Sequence, residues 1–503
     1  MDGNRTGIVY LVGAGPGDPG LLTVRGRRLL DRARVVVHDR LVDEAILDLI
    51  PREARRIDVG KTTGHHPVPQ EEINRILVRE ASEGQDVVRL KGGDCFLFGR
   101  GGEELEFLAE HGIGFEVVPG ITSALGATAY AGIPVTHRDH ASSVHLVTGH
   151  RRQDGKLDLP YAQLAGVGGT LVLMMAVANI GEIAGGLMNE GMDPQIPVAV
   201  IEQGTRSGQR TISASLAGVG DEVIRCHVRP PALFVVGQVA ALAGRLAWYD
   251  RKPLKGRTVL VTRPREEADL LTKLLREQGA RVVARPLIET VPFPSALPET
   301  ADRSILVFTS AAGVRSALDA WFAAGRDARA LTSVRLAVIG PGTARALQEY
   351  GLRADFMPAV YNARALGEQM VESGFASGED RLLLLRAARG TDDLPETLEQ
   401  LEISFRDQAV YETRIIPAAG LDPSVFDAVT FTSASCVTAF CQSVPPRTDL
   451  SGVLCVCIGE RTAQAAQDAG MQAVASREAT MESMAETLLR VLGQHPLKEE
   501  TSC

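Results

Sequence analysis

VVRLKGGDCFLFGRGGEE, residues 87–104, decides the reading of the first half of the chain. Val87–Leu90 is an apolar run of strand length. It enters a loop with two glycines, the carboxylate of Asp94 and flanking cations. In an α/β fold, such a loop at a strand end presents backbone amides and an acceptor to a ligand. The theme recurs on both sides. Ile8–Val12 is a buried-strand run followed by VGAGPGDPG (Val12–Gly20) and an amphipathic stretch around Leu21–Leu30. Val35–Val37 is a second strand, and PQEEINRILVREASEG reads as a helix with an acidic first turn and a glycine stop. FEVVPG runs into ITSALGATAYAGIP, which places amides and the Thr122 hydroxyl at a helix start. Three glycine-rich loops at strand ends suggest one ligand crevice.

A dinucleotide fingerprint is the obvious alternative, and its register fails. From Gly13 and Gly15, the third glycine of G-x-G-x-x-G falls on Asp18. An acidic side chain there sits badly against a pyrophosphate. Asp39, at the end of the second strand, could mimic a ribose-binding acid, which keeps an NAD-linked dehydrogenase as a rival for this half.

Composition narrows the rest. The 503 residues exceed one compact core, and 45% apolar with 23% charged residues excludes a disordered or fibrous chain. No uninterrupted apolar run reaches membrane-spanning length, and MDGNRTGIVYLVG lacks the pattern of a secretory signal. Seven scattered cysteines without a CxxC argue against a zinc site or disulfide framework and for a reducing cytoplasm. A net charge of −9 without a long basic run argues against nucleic acid. His137, His140, His145 and His150 cluster, but their spacing defines no ligand set, and no metal is expected.

After about Pro134, VHLVTG, TLVLMMAV, PVAVIEQGT and ALFVVGQV read as strands of a further α/β unit closing near Trp248. The expected division is 1–250, with subdomains of about 1–135 and 136–250, a linker at 251–257, a second half at 258–493 and a polar tail at 494–503. The second half repeats itself. VLVTRP places Arg263 after a strand, and LLLLRA places Arg386 after another, 123 positions on. VFTSAAGV and TFTSASCV stand at the same spacing. VIGPGTARALQEYG and CIGERTAQAAQDAG follow in the same order. Two similar α/β units follow, at about 258–375 and 380–493.

The first half closely resembles the uroporphyrinogen-III C-methyltransferases, of the class III tetrapyrrole methylase fold. The resemblance is carried by VYLVGAGPGDPGLLT, VVVHDRLV, VGKTTGHHPVPQEEIN, VVRLKGGDCFLFGRGGEE, VVPGITSALGATAYAGIPVTHRD, VHLVTGH and VAVIEQGT. It implies two methyl transfers from S-adenosylmethionine to uroporphyrinogen III, giving precorrin-2 for sirohaem or corrin synthesis. By the same resemblance Pro16, Gly92, Gly93, Asp94, Leu97, Thr122, Ser123, Met175 and Gly204 line the S-adenosylmethionine site. Asp39 matches the base, Lys61 the proton donor, and Arg89 a position that can grip substrate carboxylates. Each has a plainer reading: core packing for Met175, a solvated turn for Asp39, a surface cation for Lys61. Two departures stand out. Cys95 replaces the proline of KGGDP, which should alter loop stiffness without loss of function. His38 replaces a tyrosine, either as a tolerated change or as a titrating neighbour of Asp39. Larger relatives carry an extra dehydrogenase and ferrochelatase module, and those activities are not expected here. The family suggests a homodimer through this half.

The second half resembles uroporphyrinogen-III synthase over about Leu254–Gly493, on the repeated motifs together with Pro358–Tyr361 and VYETR. The implied fold is two α/β domains, one built from both ends of the segment. The implied reaction closes hydroxymethylbilane to uroporphyrinogen III with inversion of the last ring, and no cofactor. Tyr411 matches the tyrosine that assists loss of the hydroxyl, and Thr343 a threonine of the IGxxT loop. Ser310, Thr343 and Ser433 stand at helix starts, where they bind substrate carboxylates, cap helices, or both. Arg263 and Arg386 end equivalent strands, and one of them should take a carboxylate. A non-catalytic tetrapyrrole-binding module remains the rival for this half. The fold class is thus α/β throughout: a two-domain methylase followed by a two-domain synthase with an internal repeat.

Overall fold

The computed structural model describes residues 6–60, 68–150, 157–263, 265–293, 303–416, 418 and 420–494. The chain divides into two units, one chiefly Met1–Arg257, the other Thr258–Leu274 with Val283–His495. Lys61 and the tail from 495 lie outside the described residues.

The first unit opens with β1 (Ile8–Gly13), β2 (Val35–His38), β3 (Arg55–Asp58), β4 (Val87–Lys91) and β5 (Gly114–Val118). They form one parallel sheet in the order β3-β2-β4-β1-β5. Every residue of β2 and β4 is buried, as a parallel sheet covered on both faces requires. Alternate residues serve opposite faces. Val36, Val88 and Leu90 join Leu30, Ile46 and Ile50 on one side. Val35, Val37 and Val87 join Ile73, Leu77 and Leu108 on the other. Truncating one of these, such as Leu77, to alanine would cost about 2–5 kcal/mol. The order reverses between β1 and β4, so the loops after those strands open at a topological switch point.

The same unit continues with β6 (Val144–Thr148), β7 (Thr170–Met174), β8 (Pro197–Glu202), β9 (Arg210–Ser215) and β10 (Ala232–Val236). This sheet is mixed, in the order β6-β7-β10-β8-β9. The helix Ser123–Tyr130 ties the sheets together. Its small residues Ala124 and Ala127 pack with Ala199, Ile201 and Leu233 of the second sheet.

The second unit contains β11 (Thr258–Val261), β12 (Arg281–Ala284), β13 (Ile288–Pro292), β14 (Ser304–Phe308), β15 (Arg335–Val338), β16 (Arg381–Ala387), β17 (Phe405–Ile415), β18 (Ala428–Phe431), β19 (Leu454–Cys457) and β20 (Gln472–Ala475). Two sheets result, β12-β11-β18-β19-β20 and β13-β17-β16-β14-β15. One sheet is thus drawn from both ends of the segment and the other from its middle. The repeat is present, with an exchange. The strand before Arg263 joins the FTS and IGxxT strands of the second repeat. The strand carrying Arg386 joins those of the first. The folded domains therefore do not coincide with the contiguous stretches 258–375 and 380–493. Ser310 and Ser433 cap the helices after β14 and β18, accepting from Gly313 N at 3.0 Å and Cys436 N at 3.3 Å.

Candidate active site

In the first unit the loops after β1, β4 and β5 pack backbone on backbone. Gly15 and Gly93 exchange hydrogen bonds of 3.1 and 2.8 Å, and Ala14 N donates to Lys91 O at 2.7 Å. A Cβ on Gly120 would lie 2.2 Å from Gly93 O and 2.7 Å from Gly13 Cα, so no side chain fits there. Gly93 differs: its φ is +70°, and a Cβ would find nothing nearer than Ser123 N at 3.9 Å. Gly120 serves loop packing, whereas Gly93 faces a space that a bound group can occupy. Gly92 backs onto Leu41, with a Cβ 2.8 Å from the leucine Cβ.

Asp94 holds this arrangement. Its Oδ1 accepts from Phe96 N (2.9 Å) and Leu97 N (3.0 Å), and its Oδ2 from Gly120 N (3.1 Å). Three backbone donors thus use most of the acceptor capacity expected to serve a ligand. Thr122 caps the helix Ser123–Tyr130, its hydroxyl 3.4 Å from Ala124 N. Pro16 lies against the same helix, since a Cβ on Gly126 would come 2.7 Å from its Cγ. Gly204 backs onto that helix too, with a Cβ 2.3 Å from Ala127 Cβ. Met175 follows β7 with a φ of +54° and is 49% exposed, so its side chain is not core packing. Gln203 and Thr205, flanking Gly204, also have positive φ. Backbone strain of this kind concentrates at ligand sites. Asp18, which breaks the dinucleotide register, has a different use. Its Oδ2 accepts from Tyr130 Oη at 2.7 Å, and its amide donates to Thr205 Oγ1 at 3.2 Å, linking loops of both sheets.

Asp39 ends β2 beside these loops, with its side chain 29% exposed. Arg89 Nη2 donates to its Oδ1 at 2.7 Å. The same guanidinium meets the fully buried Glu104, and Lys91 Nζ donates to Glu104 Oε1 at 2.7 Å. His38 is buried, with its Nδ1 3.5 Å from Asp39 O. Cys95 is buried beside Val118 O, and burial followed by the Asp94 charge pushes its thiol up to about 12.

In the second unit Tyr411 on β17 is 8% exposed, and its Oη lies 3.0 Å from Ser310 Oγ. Two residues singled out separately thus form one pair. Thr343 is buried in the helix Pro341–Glu349. Arg263 Nη1 lies 2.9 Å from Met481 Sδ. Arg386 grips Asp407 through Nε at 2.9 Å and Nη2 at 2.5 Å.

Residues 8–220 match the family model of tetrapyrrole (corrin/porphyrin) methylases, and 269–486 that of uroporphyrinogen-III synthase HemD. The porphyrin biosynthesis protein HemD of Ruminiclostridium josui is 41% identical over 97% of this chain and 98% of its own length. The chain belongs to this HemD family, in which a tetrapyrrole methylase is joined to a uroporphyrinogen-III synthase.

This HemD-family chain is therefore a tetrapyrrole biosynthesis enzyme with a tetrapyrrole methylase half and a uroporphyrinogen-III synthase half. The siroheme synthase of Azotobacter vinelandii is 55% identical over 48% of this chain, and the chain spans about half of that relative's length. A solved uroporphyrin III C-methyl transferase from Thermus thermophilus is 43% identical over 47% of this chain and 94% of its own, with a TM-score of 0.41.

Two residues expected to meet substrate carboxylates are held by carboxylates of the chain itself. Arg89 is 1% exposed and already holds two carboxylates, Asp39 and Glu104. A two-sided buried strand hides its residues whatever their charge, and only tertiary partners reveal what Arg89 does. Arg386 has its fork on Asp407, whereas Arg263 Nη1 lies against Met481 Sδ. Glu104 was missed. It lies within GGEE, a run that reads as an exposed acidic first turn. Tyr361 ends the Pro358–Tyr361 motif. It is 51% exposed and stands over Gly340 of the IGxxT loop, where a Cβ would approach its own at 3.3 Å. No helix among the described residues is long and apolar enough to cross a membrane.

Proposed function

We propose that the two halves catalyse consecutive reactions. The second closes hydroxymethylbilane to uroporphyrinogen III with inversion of the last ring. The first methylates that product twice, to precorrin-2. The observation that carries the first assignment is the convergence of Asp39, the Gly92–Gly93 turn and the Thr122–Ser123 helix start on neighbouring strand ends.

The residues present fit S-adenosylmethionine. Gly93 leaves an open cradle, Met175 offers an exposed, pliable apolar contact, and Pro16, Leu97, Thr122, Ser123 and Gly204 border the same loops. Bound there, S-adenosylmethionine supplies a methyl group on a cationic sulfur. Asp94 keeps the KGGD loop and the β5 loop in register through its three backbone bonds. Asp39 presents a carboxylate to the pyrrole carbon that gains the methyl group. It offsets the cationic charge that develops and then takes a proton from an adjacent position of the macrocycle, because the methylated carbon already carries a side chain and has no proton to give. Lys61, outside the described residues, is proposed as the proton donor.

In the synthase half the substrate cyclises even unaided, so the protein's task is to hold one folded conformer. The Tyr411 hydroxyl donates to the departing hydroxyl group. Helix starts at Ser310, Thr343 and Ser433, with Arg263, hold acetate and propionate groups. The proposed assembly is a homodimer through the methylase half. Incubating the full chain with uroporphyrinogen III and the methyl donor tests the first assignment. Mass spectrometry should find two added methyl groups on the pyrrole carbons of precorrin-2. One group only, or methylation elsewhere, would redirect the assignment to another tetrapyrrole position.

A further inference from the structure

Arg89 and Lys91, two residues apart on β4, both meet Glu104 from the helix Gly101–Glu110. Arg89 Nη2 lies 3.1 Å from Glu104 Oε1, its Nε is 3.3 Å from both carboxylate oxygens, and Lys91 Nζ is 2.7 Å away. Gln70 Nε2 adds a bond of 3.1 Å and also reaches Asn74 Oδ1 at 3.0 Å. On their other side the same two cations reach Asp39, Arg89 at 2.7 Å and Lys91 at 3.9 Å. Two positive and two negative charges thus stand in one cluster. Glu104 is 0% exposed, and only Asp39 opens toward the crevice.

Burying a carboxylate is costly, and a buried ion pair rarely stabilises a fold more than apolar packing would. The neighbouring Arg100–Glu103 pair serves the same helix from its exposed face. The buried set therefore calls for a reason other than stability, and its one exposed member supplies it.

We propose that Glu104 is a positioning residue for methyl transfer: by holding Arg89 and Lys91 it keeps Asp39 oriented and offsets part of the field that the two cations place on it. The proposal rests on the assignment of Asp39 as the base. With Glu104 neutralised, both cations would turn on Asp39 alone, and their field in a part-buried site would weaken it as a proton acceptor. Among the described residues, β4 sets Arg89 and Lys91 toward Asp39, with Glu104 behind them. The helix Gln70–Ser82 contributes Gln70 and Asn74, both neutral, and β2 contributes the buried His38.

The test compares kcat, KM and pH profiles for methylation of uroporphyrinogen III by the full chain and four variants. Glu104→Gln should lower kcat about tenfold, leave KM for S-adenosylmethionine within about twofold, and move the acidic limb of the profile to lower pH. Lys91→Met, which removes a cation, should move that limb to higher pH. The double variant Glu104→Gln/Lys91→Met should bring it back toward wild type. A merely structural role predicts the double variant to be worse than either single one. If Glu104→Gln does not fold, the opposite shift in Lys91→Met and the recovery in the double variant still decide. Acidic limbs that stay where wild type has them would overturn the proposal. Asp39→Asn separates the two layers. Retention of kcat there removes the base itself. Its loss, with Glu104→Gln behaving as wild type, removes only the role of Glu104.

Discussion

Tyr411 and Ser310, 101 residues apart in the chain, meet with their hydroxyl oxygens 3.0 Å from each other. Ser310 also accepts from Gly313 N, so the helix start fixes the serine and the serine fixes the phenol. Tyr411→Phe should lower enzymatic formation of the type III isomer by at least about tenfold and leave methylation untouched. The unaided reaction yields the type I isomer, so the isomer ratio measures the loss directly. Ser310→Ala should cost about 1 kcal/mol as a lost cap and lower the ratio less.

Gly93 and Gly120 should respond differently to the same change. Gly120→Ala drives a Cβ into Gly93 O and Gly13 Cα and should unfold the loops, visible as a lower melting temperature. Gly93→Ala meets open space, at a backbone cost of roughly 1–2 kcal/mol for its left-handed φ. It should remain folded and bind S-adenosylhomocysteine at least about tenfold more weakly by calorimetry, because the methyl group enters the cradle. Unchanged affinity would place the methyl donor elsewhere.

Arg89→Leu should destabilise the first unit by about 3–5 kcal/mol, because it leaves Glu104 buried with one cation fewer. Urea unfolding measures this. A stable variant with a raised KM for uroporphyrinogen III would instead restore Arg89 as a substrate contact.

Cys95 should resist alkylation in the native chain. Burial and the Asp94 charge raise its thiol from 9.0 to about 12, so little thiolate exists at pH 8. Among the described cysteines, the partly exposed Cys441 should react first. Linkage gives a sign as well. Between pH 9 and about 12 the unfolded thiol has lost its proton and the folded one has not. Stability from this group is complete below pH 9 and falls as pH rises through that window. Replacing Cys95 with alanine should flatten the fall.

Much of this was legible in the chain itself. The glycine loops could be read because a glycine marks a backbone demand wherever it occurs, and Gly13, Gly93 and Gly120 do meet. The repeat could be read because FTS and IGxxT keep order and spacing. Which sheet each arginine strand joins could not, because the partners in the pairing of β11 with β18 stand 169 positions apart, with no mark of it in one dimension. Arg89 and Glu104 stayed hidden for a related reason. A charge in a buried strand declares that a partner exists, and its identity comes only from the helix packed against it. Arg386 looked like a twin of Arg263 until Asp407 on the adjacent strand filled its fork.

The most direct measurement supplies fresh hydroxymethylbilane to the full chain, with and without S-adenosylmethionine, and identifies the products by chromatography and mass. The type III isomer without the methyl donor, and its dimethylated product with it, are expected. Type I isomer alone, at the unaided rate and with no methylated product, would contradict two consecutive reactions on one chain.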